Sequence, residues 1–213
     1  MRDKTHKLVL TSIFAAIIIA LALTPFGIIR LPIVNATTIH IPVILGSLIL
    51  GPKIGAGLGF MFGLTSLFVN STTPGLISFV FSPLIPVIGT DSGSPLALIV
   101  CFVPRILVGV VPWFVYKGLS MFLNDKFDPV KLVIAGVLGS MTNTLLVLHF
   151  IFIFFRNSFA QAQGIEFDVV YGFIMGIVAS SGIPEAVVAG IIVVAVYIPV
   201  MVVYKKTSRV PVS

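Results

Sequence analysis

Residues 132–155 read LVIAGVLGSMTNTLLVLHFIFIFF and contain no aspartate, glutamate, lysine or arginine. A helix needs roughly 20 predominantly apolar residues to cross a hydrocarbon core about 30 Å thick, and this stretch satisfies that length. The rest of the chain is similar, since 58% of its 213 residues are hydrophobic and only 9% are charged, and the mean hydropathy is +1.18. The sequence therefore predicts an all-α integral membrane protein.

Five further apolar segments lie on either side of this stretch. We predict six transmembrane helices in a single bundle, which forms one transmembrane domain over residues 1–213. Their approximate bounds are 8–26, 36–50, 54–69, 96–116, 132–155 and 183–204. The second and third are separated only by Gly51-Pro52-Lys53, which predicts a tight turn.

Two segments allow a second interpretation. The first has the basic start, apolar middle and Ala20-Leu21-Ala22 site of a signal peptide, although we interpret it as a retained helix. Residues 169–179 are apolar but too short to cross the bilayer comfortably. We interpret them as a re-entrant or interfacial helix before a last span that begins at Ile183.

The positions of the basic residues predict the orientation. In the six-span arrangement one side of the membrane receives Arg2, Lys4, Lys7, Lys53, Lys117, Lys126, Lys131, Lys205, Lys206 and Arg209. The opposite loops receive only Arg30 and Arg156. Because cytoplasmic flanks carry the excess of lysine and arginine, both termini are predicted to be cytoplasmic. The net charge of +6 therefore reflects topology, and the scattered bases do not indicate nucleic-acid binding.

Polar side chains at membrane depth are costly and tend to mark functional sites. Arg105 lies about ten residues into the fourth predicted span, hence roughly 15 Å along the helix. Its guanidinium keeps its proton and needs a carboxylate, carbonyl groups or a wet cavity. It either receives an anionic group of a substrate, or it snorkels to the surface or pairs with Glu185.

The fifth predicted span contributes a second polar group at the same depth. Asn143 lies about 100° from Thr142 on the helical wheel, close enough for both to border one cavity, and His149 shares the face of Thr142. Such side chains either hold helices together or bind a ligand. His40, at the polar entry of the second span, is a weaker candidate for the rim of the same site.

Small residues recur on two predicted helices. Gly51, Gly55, Gly59 and Gly63 are four residues apart, which favours close packing within the bundle over a surface for a partner protein. Ala16 and Ala20 form a similar face on the first helix, where packing and partner binding are equally plausible interpretations.

Several kinds of site are missing from the sequence. It has no Gly-rich phosphate loop, HExxH motif, nucleophile elbow or cluster of Cys and His with metal spacing. We therefore expect no metal, no cofactor and no hydrolysis of ATP by the chain itself. Cys101 is its single cysteine, which excludes an intrachain disulfide.

The order and spacing of several short motifs carry a family resemblance. These are Ala16-x-x-x-Ala20, His40-Ile-Pro-Val-Ile-Leu-Gly46, Leu50-Gly-Pro-Lys53, Phe81-Ser-Pro83 and Ile183-Pro-Glu185. The chain resembles the substrate-binding S-components of energy-coupling factor (ECF) vitamin transporters, which are multi-pass proteins of prokaryotic plasma membranes. The resemblance implies an outward-facing vitamin pocket that includes Arg105, Asn143 and Glu185. It also implies that Ala16 and Ala20 dock onto a transmembrane coupling subunit, which joins two cytoplasmic ATPase subunits.

Within that family, three segments look most like pantothenate S-components. They are Thr37-Thr-Ile-His-Ile-Pro42, Pro104-Arg-Ile-Leu-Val-Gly109 and Gly139-Ser-Met-Thr-Asn-Thr144. The resemblance implies capture of pantothenate, with folate, riboflavin or a thiamine precursor as alternative cargo. Two interpretations outside transport compete with it. One is a small membrane enzyme that uses Arg105, His149 and Glu185 on a lipid-borne anion, and the other is a structural subunit without a ligand.

Overall fold

The structure is a computed structural model that describes residues 2–24, 27–30 and 35–209. Pro25 and Phe26, at the end of the first predicted span, lie outside the described residues. The helices and strands are α1 (Arg2–Leu23), β1 (Ile28–Arg30), β2 (Asn35–Thr37), α2 (His40–Leu50), α3 (Pro52–Thr72), α4 (Leu96–Val108), α5 (Val111–Phe122), α6 (Asp128–Gln163), α7 (Val170–Ile177) and α8 (Ile183–Arg209).

The described helices include five segments that are long and apolar enough to cross a membrane. They are Lys4–Leu23, Pro52–Thr72, Leu96–Phe122, Asp128–Gln163 and Phe167–Val203. The prediction of a helical membrane protein is thus confirmed. The sixth apolar helix, α2, has 11 residues and rises only roughly 16 Å, about half the thickness of the hydrocarbon core.

Helix α2 forms the centre of the bundle. All of its residues except Ile49 are buried, and α1, α3, α5, α6 and α8 pack around it. A helix that is apolar on every side is stable in such a position because each face meets another helix. Helix α1 packs Phe14 and Ile18 into the same core.

A short antiparallel sheet precedes α2, which the all-α prediction did not include. Strands β1 and β2 pair Ile28 with Thr37 and Arg30 with Asn35. Residues 36–39 therefore do not extend α2 as the second predicted span required. Strand β2 ends at Thr37, and α2 begins only at His40.

The fourth and fifth predicted spans differ from the observed helices. Gly109 and Val110 separate α4 from α5, so the fourth span consists of two helices. Helix α6 has a non-helical residue at Phe155, with φ −132° and ψ 19°, and then continues to Gln163. The predicted end at residue 155 thus coincides with a kink within a longer helix.

The last membrane-spanning helix begins earlier in the structure than the predicted start at Ile183. Helix α7 continues through a π-helical turn, Val178–Gly182, directly into α8. Residues 169–179 are therefore the first part of the last apolar helix and not a separate re-entrant piece. A proline in an α-helix clashes with the carbonyl group four residues earlier, and the wider π turn gives room for Pro184.

The predicted glycine ridge packs within the bundle, against α4. A Cβ atom at Gly55 would collide with the carbonyl oxygen of Gly109, and one at Gly59 would collide with that of Arg105. A Cβ at Gly63 would meet the ring of Phe102 at 2.6 Å. The preferred interpretation of the ridge is confirmed for these three glycines, whereas Gly51 lies in the turn before α3 with φ 95°.

Substitution of Gly59 tests this close approach. We expect Gly59→Ala to lower the free energy of unfolding by about 1–3 kcal/mol, because the added methyl group overpacks the α3–α4 contact. Gly57→Ala is the matched control, since a Cβ there meets nothing within 4 Å. Unfolding midpoints in detergent micelles would compare the two variants, and equal midpoints would contradict the packing argument.

Candidate substrate site

A cavity of about 190 Å³ lies between α1, α3, α4 and α6, beside β2. Its wall contains Ala22, Thr37, Ile39, Phe62, Thr65, Ser66, Val69, Asn70, Phe81, Arg105 and Asn143. Ala22 and Asn70 belong to the last turns of α1 and α3, so the cavity lies toward the end of the bundle where these helices finish. Lys53 and Lys131 lie at the opposite end, where α3 and α6 begin.

Arg105 is placed in this cavity by α4 and is only 6% exposed. Proline at position 104 has no backbone N–H, so the carbonyl oxygen of Val100 receives no helical hydrogen bond from that residue. The Nη1 atom of Arg105 donates to this oxygen at 2.7 Å. Pro104 therefore leaves the carbonyl oxygen of Val100 without its helical hydrogen bond, and Arg105 supplies the guanidinium that donates to it.

The guanidinium of Arg105 also lies over two aromatic rings. Its central carbon is 4.9 Å from the ring centroid of Phe81 and 5.5 Å from that of Phe62. Aromatic faces attract a cation electrostatically and shield it from lipid. The Nε atom is buried and makes no hydrogen bond within the protein, although buried polar groups are normally paired.

A second buried cation shows what Arg105 lacks. Lys131, 1% exposed, forms an ion pair with Asp128 and lies over the ring of Tyr116. Within the described part of the chain, Arg105 forms no ion pair with a carboxylate. It is buried rather than snorkelling, and the alternative in which it pairs with Glu185 does not occur.

Asn143 lines the same cavity from α6. It is 9% exposed, and its Oδ1 atom is buried without a hydrogen-bond partner. Arg105 and Asn143 therefore line one cavity, and each has a buried polar atom without a hydrogen-bond partner in the protein. Leaving such groups unpaired costs free energy, so this cavity is suited to a solute that carries both an anionic group and a hydrogen-bond donor.

Three other predicted site residues do not line this cavity. Thr142 donates from Oγ1 to the carbonyl oxygen of Leu138 at 2.7 Å. His149 lies two turns further along α6, where Nδ1 is 2.7 Å from the carbonyl oxygen of Leu145. His40 is 1% exposed at the start of α2.

Glu185, at the start of α8, binds the backbone and does not line the cavity. Its Oε1 atom accepts a hydrogen bond of 2.8 Å from the backbone N–H of Thr37, and Thr37 lines the cavity. Glu185 thus connects α8 to β2. Of the three residues that the membrane-enzyme interpretation requires, Arg105 lines the cavity, whereas His149 and Glu185 do not.

Several residues of the cavity were not predicted. Thr65, Ser66 and Asn70 line it from α3, and the argument that singled out Arg105, polar side chains at membrane depth, applies to them as well. Asn70 is fully engaged, since Nδ2 donates to the carbonyl oxygen of Ser66 at 2.8 Å and Oδ1 accepts from Ser78 at 2.7 Å. Phe81 appeared in the sequence analysis only as part of the Phe81-Ser-Pro83 motif, without a role in the site, and it belongs to the irregular segment between α3 and α4.

A larger cavity, about 590 Å³, lies between α6 and α7. Its wall is hydrocarbon except for Gln163 and Ser180. It has no charged group with which to bind a polar solute, so the cavity that contains Arg105 is the better candidate site.

Comparison with known proteins agrees with this geometry. The family described as "ECF transporter, substrate-specific component" matches residues 6–197. The chain belongs to this family. It is therefore a transport subunit and not an enzyme, and it is a multi-pass protein of a prokaryotic plasma membrane, as the resemblance implied.

Two relatives of this substrate-specific component match nearly its whole length. The "Pantothenic acid transporter PanT" of Lactococcus lactis subsp. cremoris (strain MG1363) is 40% identical over 200 residues, which cover 92% of this chain and 93% of the relative. The "Pantothenate transporter PanT" of Leuconostoc mesenteroides subsp. mesenteroides is 32% identical over 199 residues, covering 91% and 90%.

The bond between Glu185 and Thr37 can be tested without a ligand. We expect Glu185→Ala to accelerate amide hydrogen exchange at Thr37 roughly tenfold, because the hydrogen bond from this N–H to the carboxyl oxygen is lost. Glu185→Gln is the matched control, since its amide oxygen can still accept from the same N–H. Exchange measured by mass spectrometry in micelles would check this, and equal rates in both variants would contradict the assigned bond.

Proposed function

We propose that this substrate-specific component binds pantothenate from the outside of the cell. The observation that carries the proposal is the buried guanidinium of Arg105, which has no carboxylate partner among the described residues and shares a cavity with Asn143. The names of the two relatives, both pantothenate transporters, support the same ligand.

Pantothenate has a chemical group for each feature of the cavity. Its carboxylate matches the charge of Arg105, since charge-assisted hydrogen bonds to guanidinium are strong and directional. Its amide and hydroxyl groups would form hydrogen bonds with the side-chain amide of Asn143, which can both donate and accept. Ile39 and Val69 provide apolar surface for the dimethyl carbon of the ligand.

The dimensions of the cavity favour pantothenate over the alternative vitamins. A volume of about 190 Å³ lies below the roughly 300–1,000 Å³ typical of pockets for drug-sized ligands. Its two aromatic rings, Phe62 and Phe81, are engaged by Arg105 and do not stack on a ligand. Riboflavin and folate carry fused rings that need such stacking and more space.

The proposed topology is a single domain of six crossings with both termini in the cytoplasm. The short helix α2 and the sheet before it together provide the second crossing. Lys53 and Lys131 begin α3 and α6 at one end of the bundle, whereas the cavity lies toward the other end. Under the positive-inside rule the cavity then faces outward.

Delivery to the cytoplasm requires partners in this proposal. Ala16 and Ala20 are exposed on α1, and their small side chains allow the backbone of another helix to approach closely. They form the docking face for a transmembrane coupling subunit, which two cytoplasmic ATPase subunits drive. The bundle reorients in the lipid while it is attached to that complex.

Arg105→Gln tests the ligand assignment. We expect the affinity for pantothenate to fall roughly ten- to hundredfold, because a charge-assisted hydrogen bond in a buried site is removed. Calorimetry in detergent would measure the dissociation constants of both proteins for pantothenate, folate, riboflavin and a thiamine precursor.

Two controls accompany this measurement. Arg156→Gln changes an arginine of α6 that does not line the cavity, and it should bind pantothenate normally. The alcohol analogue of pantothenate, in which a hydroxymethyl group replaces the carboxylate, should bind wild type and Arg105→Gln with similar weak affinity. Tighter binding of another vitamin by the wild-type protein would reject pantothenate as the cargo.

The docking face predicts a separation of binding from uptake. We expect Ala16→Trp and Ala20→Trp to leave the dissociation constant of pantothenate unchanged and to abolish uptake of radiolabelled pantothenate into cells or proteoliposomes. Ile191→Trp is the control, since Ile191 is also exposed but lies on α8. Normal uptake by the two alanine variants would refute the docking assignment.

A further inference from the structure

Phe81 holds an unusual position among the residues around Arg105. Phe62 lies in α3 and is part of the buried core, so its place is fixed by the bundle. Phe81 comes from the irregular segment between α3 and α4 and nevertheless lies nearer to the guanidinium, at 4.9 Å against 5.5 Å. One face of the arginine therefore depends on a residue outside the helices.

Hydrogen bonds to α3 fix the segment that carries Phe81. Ser78 donates from Oγ to Oδ1 of Asn70 at 2.7 Å, and the hydroxyl oxygens of Ser71 and Ser82 are 2.7 Å apart. The backbone N–H of Phe81 donates to the carbonyl oxygen of Ser78 at 3.0 Å. These contacts lie on both sides of Phe81 in the sequence, so they restrict its backbone from both directions.

Apolar packing adds to this restriction. Phe79 and Val80, which precede Phe81, are almost completely buried. The ring of Phe79 packs edge-on against that of Phe155 in α6, with 6.0 Å between centroids. The segment that carries Phe81 is thus attached to α3 by polar contacts and to α6 by an aromatic contact.

We propose that Phe81 is a positioning residue, which acts on substrate binding by holding the guanidinium of Arg105 in its binding orientation. A long arginine side chain loses much conformational freedom when it is ordered. If the protein already holds the side chain in place, less conformational entropy is lost when the ligand binds. Nη1 is already bound to Val100, and the aromatic faces restrict rotation of the plane. The inference rests on the proposed function, in which Arg105 receives the carboxylate.

Position 81 should therefore affect acidic and neutral ligands differently. We expect Phe81→Leu to weaken pantothenate binding roughly three- to thirtyfold, because the cation–π contact is lost while an apolar side chain remains. The alcohol analogue does not engage the charge of Arg105. Its affinity should therefore change less than about twofold, because it does not depend on the cation–π contact between Phe81 and the guanidinium. Phe81→Tyr keeps the aromatic face and should restore most of the affinity.

A double-mutant cycle separates positioning from direct contact. In the Arg105→Gln background, Phe81→Leu should cause no further loss of pantothenate affinity if Phe81 acts through Arg105. Phe60→Leu is the matched control, since Phe60 is an exposed phenylalanine of α3 that stacks on Phe102 and does not line the cavity. Equal losses of affinity for the acid and the alcohol, or additive losses in the cycle, would overturn the inference. Phe81 would then only line the cavity.

A measurement without ligand distinguishes this inference from the proposed function. Nitrogen-15 relaxation at Nε of Arg105, recorded in nanodiscs, should report a more mobile side chain in Phe81→Leu than in wild type or Phe60→Leu. Unchanged mobility would count against positioning even if pantothenate binds. Failure of the wild-type protein to bind pantothenate would instead reject the proposed function, while the relaxation data would still decide the role of Phe81.

Discussion

The buried charge of Arg105 is the constraint on which the cavity depends. Burial of an ion is costly unless other groups replace its hydration. Here the replacement comes from the carbonyl oxygen of Val100, which Pro104 leaves free, and from the rings of Phe62 and Phe81. None of these neutralises the charge, in contrast to the ion pair between Lys131 and Asp128. The site is thereby prepared for an anion.

The glycine ridge makes this arrangement possible at the level of the backbone. Gly55 and Gly59 bring α3 so close to α4 that the backbone at Gly59 contacts the carbonyl group of Arg105. The same close approach places Phe62, which lies one turn after Gly59, against the guanidinium. Close packing and the geometry of the proposed site are therefore consequences of one helix contact, and a side chain at Gly59 would disturb both.

Two features outside the long helices complete the cavity. Strand β2 brings Thr37 to the wall, and Glu185 of the last helix holds the backbone there. The turn before Phe81 is held by Ser78 and Asn70. Both segments are thus held in place by helices other than those they adjoin or by several contacts at once: Thr37 by α8, and the segment before Phe81 by α3 and α6.

The sequence by itself determined the membrane environment and the helical class, and it singled out Arg105 and Asn143 as candidates for the site. Hydrophobicity and the cost of buried polar groups are properties of single residues and short segments, so they can be evaluated without a fold. The tertiary structure decided which polar residues share a cavity: Asn143 lines it, whereas the adjacent Thr142 does not. It also decided the contributions of Glu185 and Phe81. These depend on the rotation and crossing of helices and on contacts between residues distant in sequence, such as the 148 positions between Thr37 and Glu185, which no local pattern encodes.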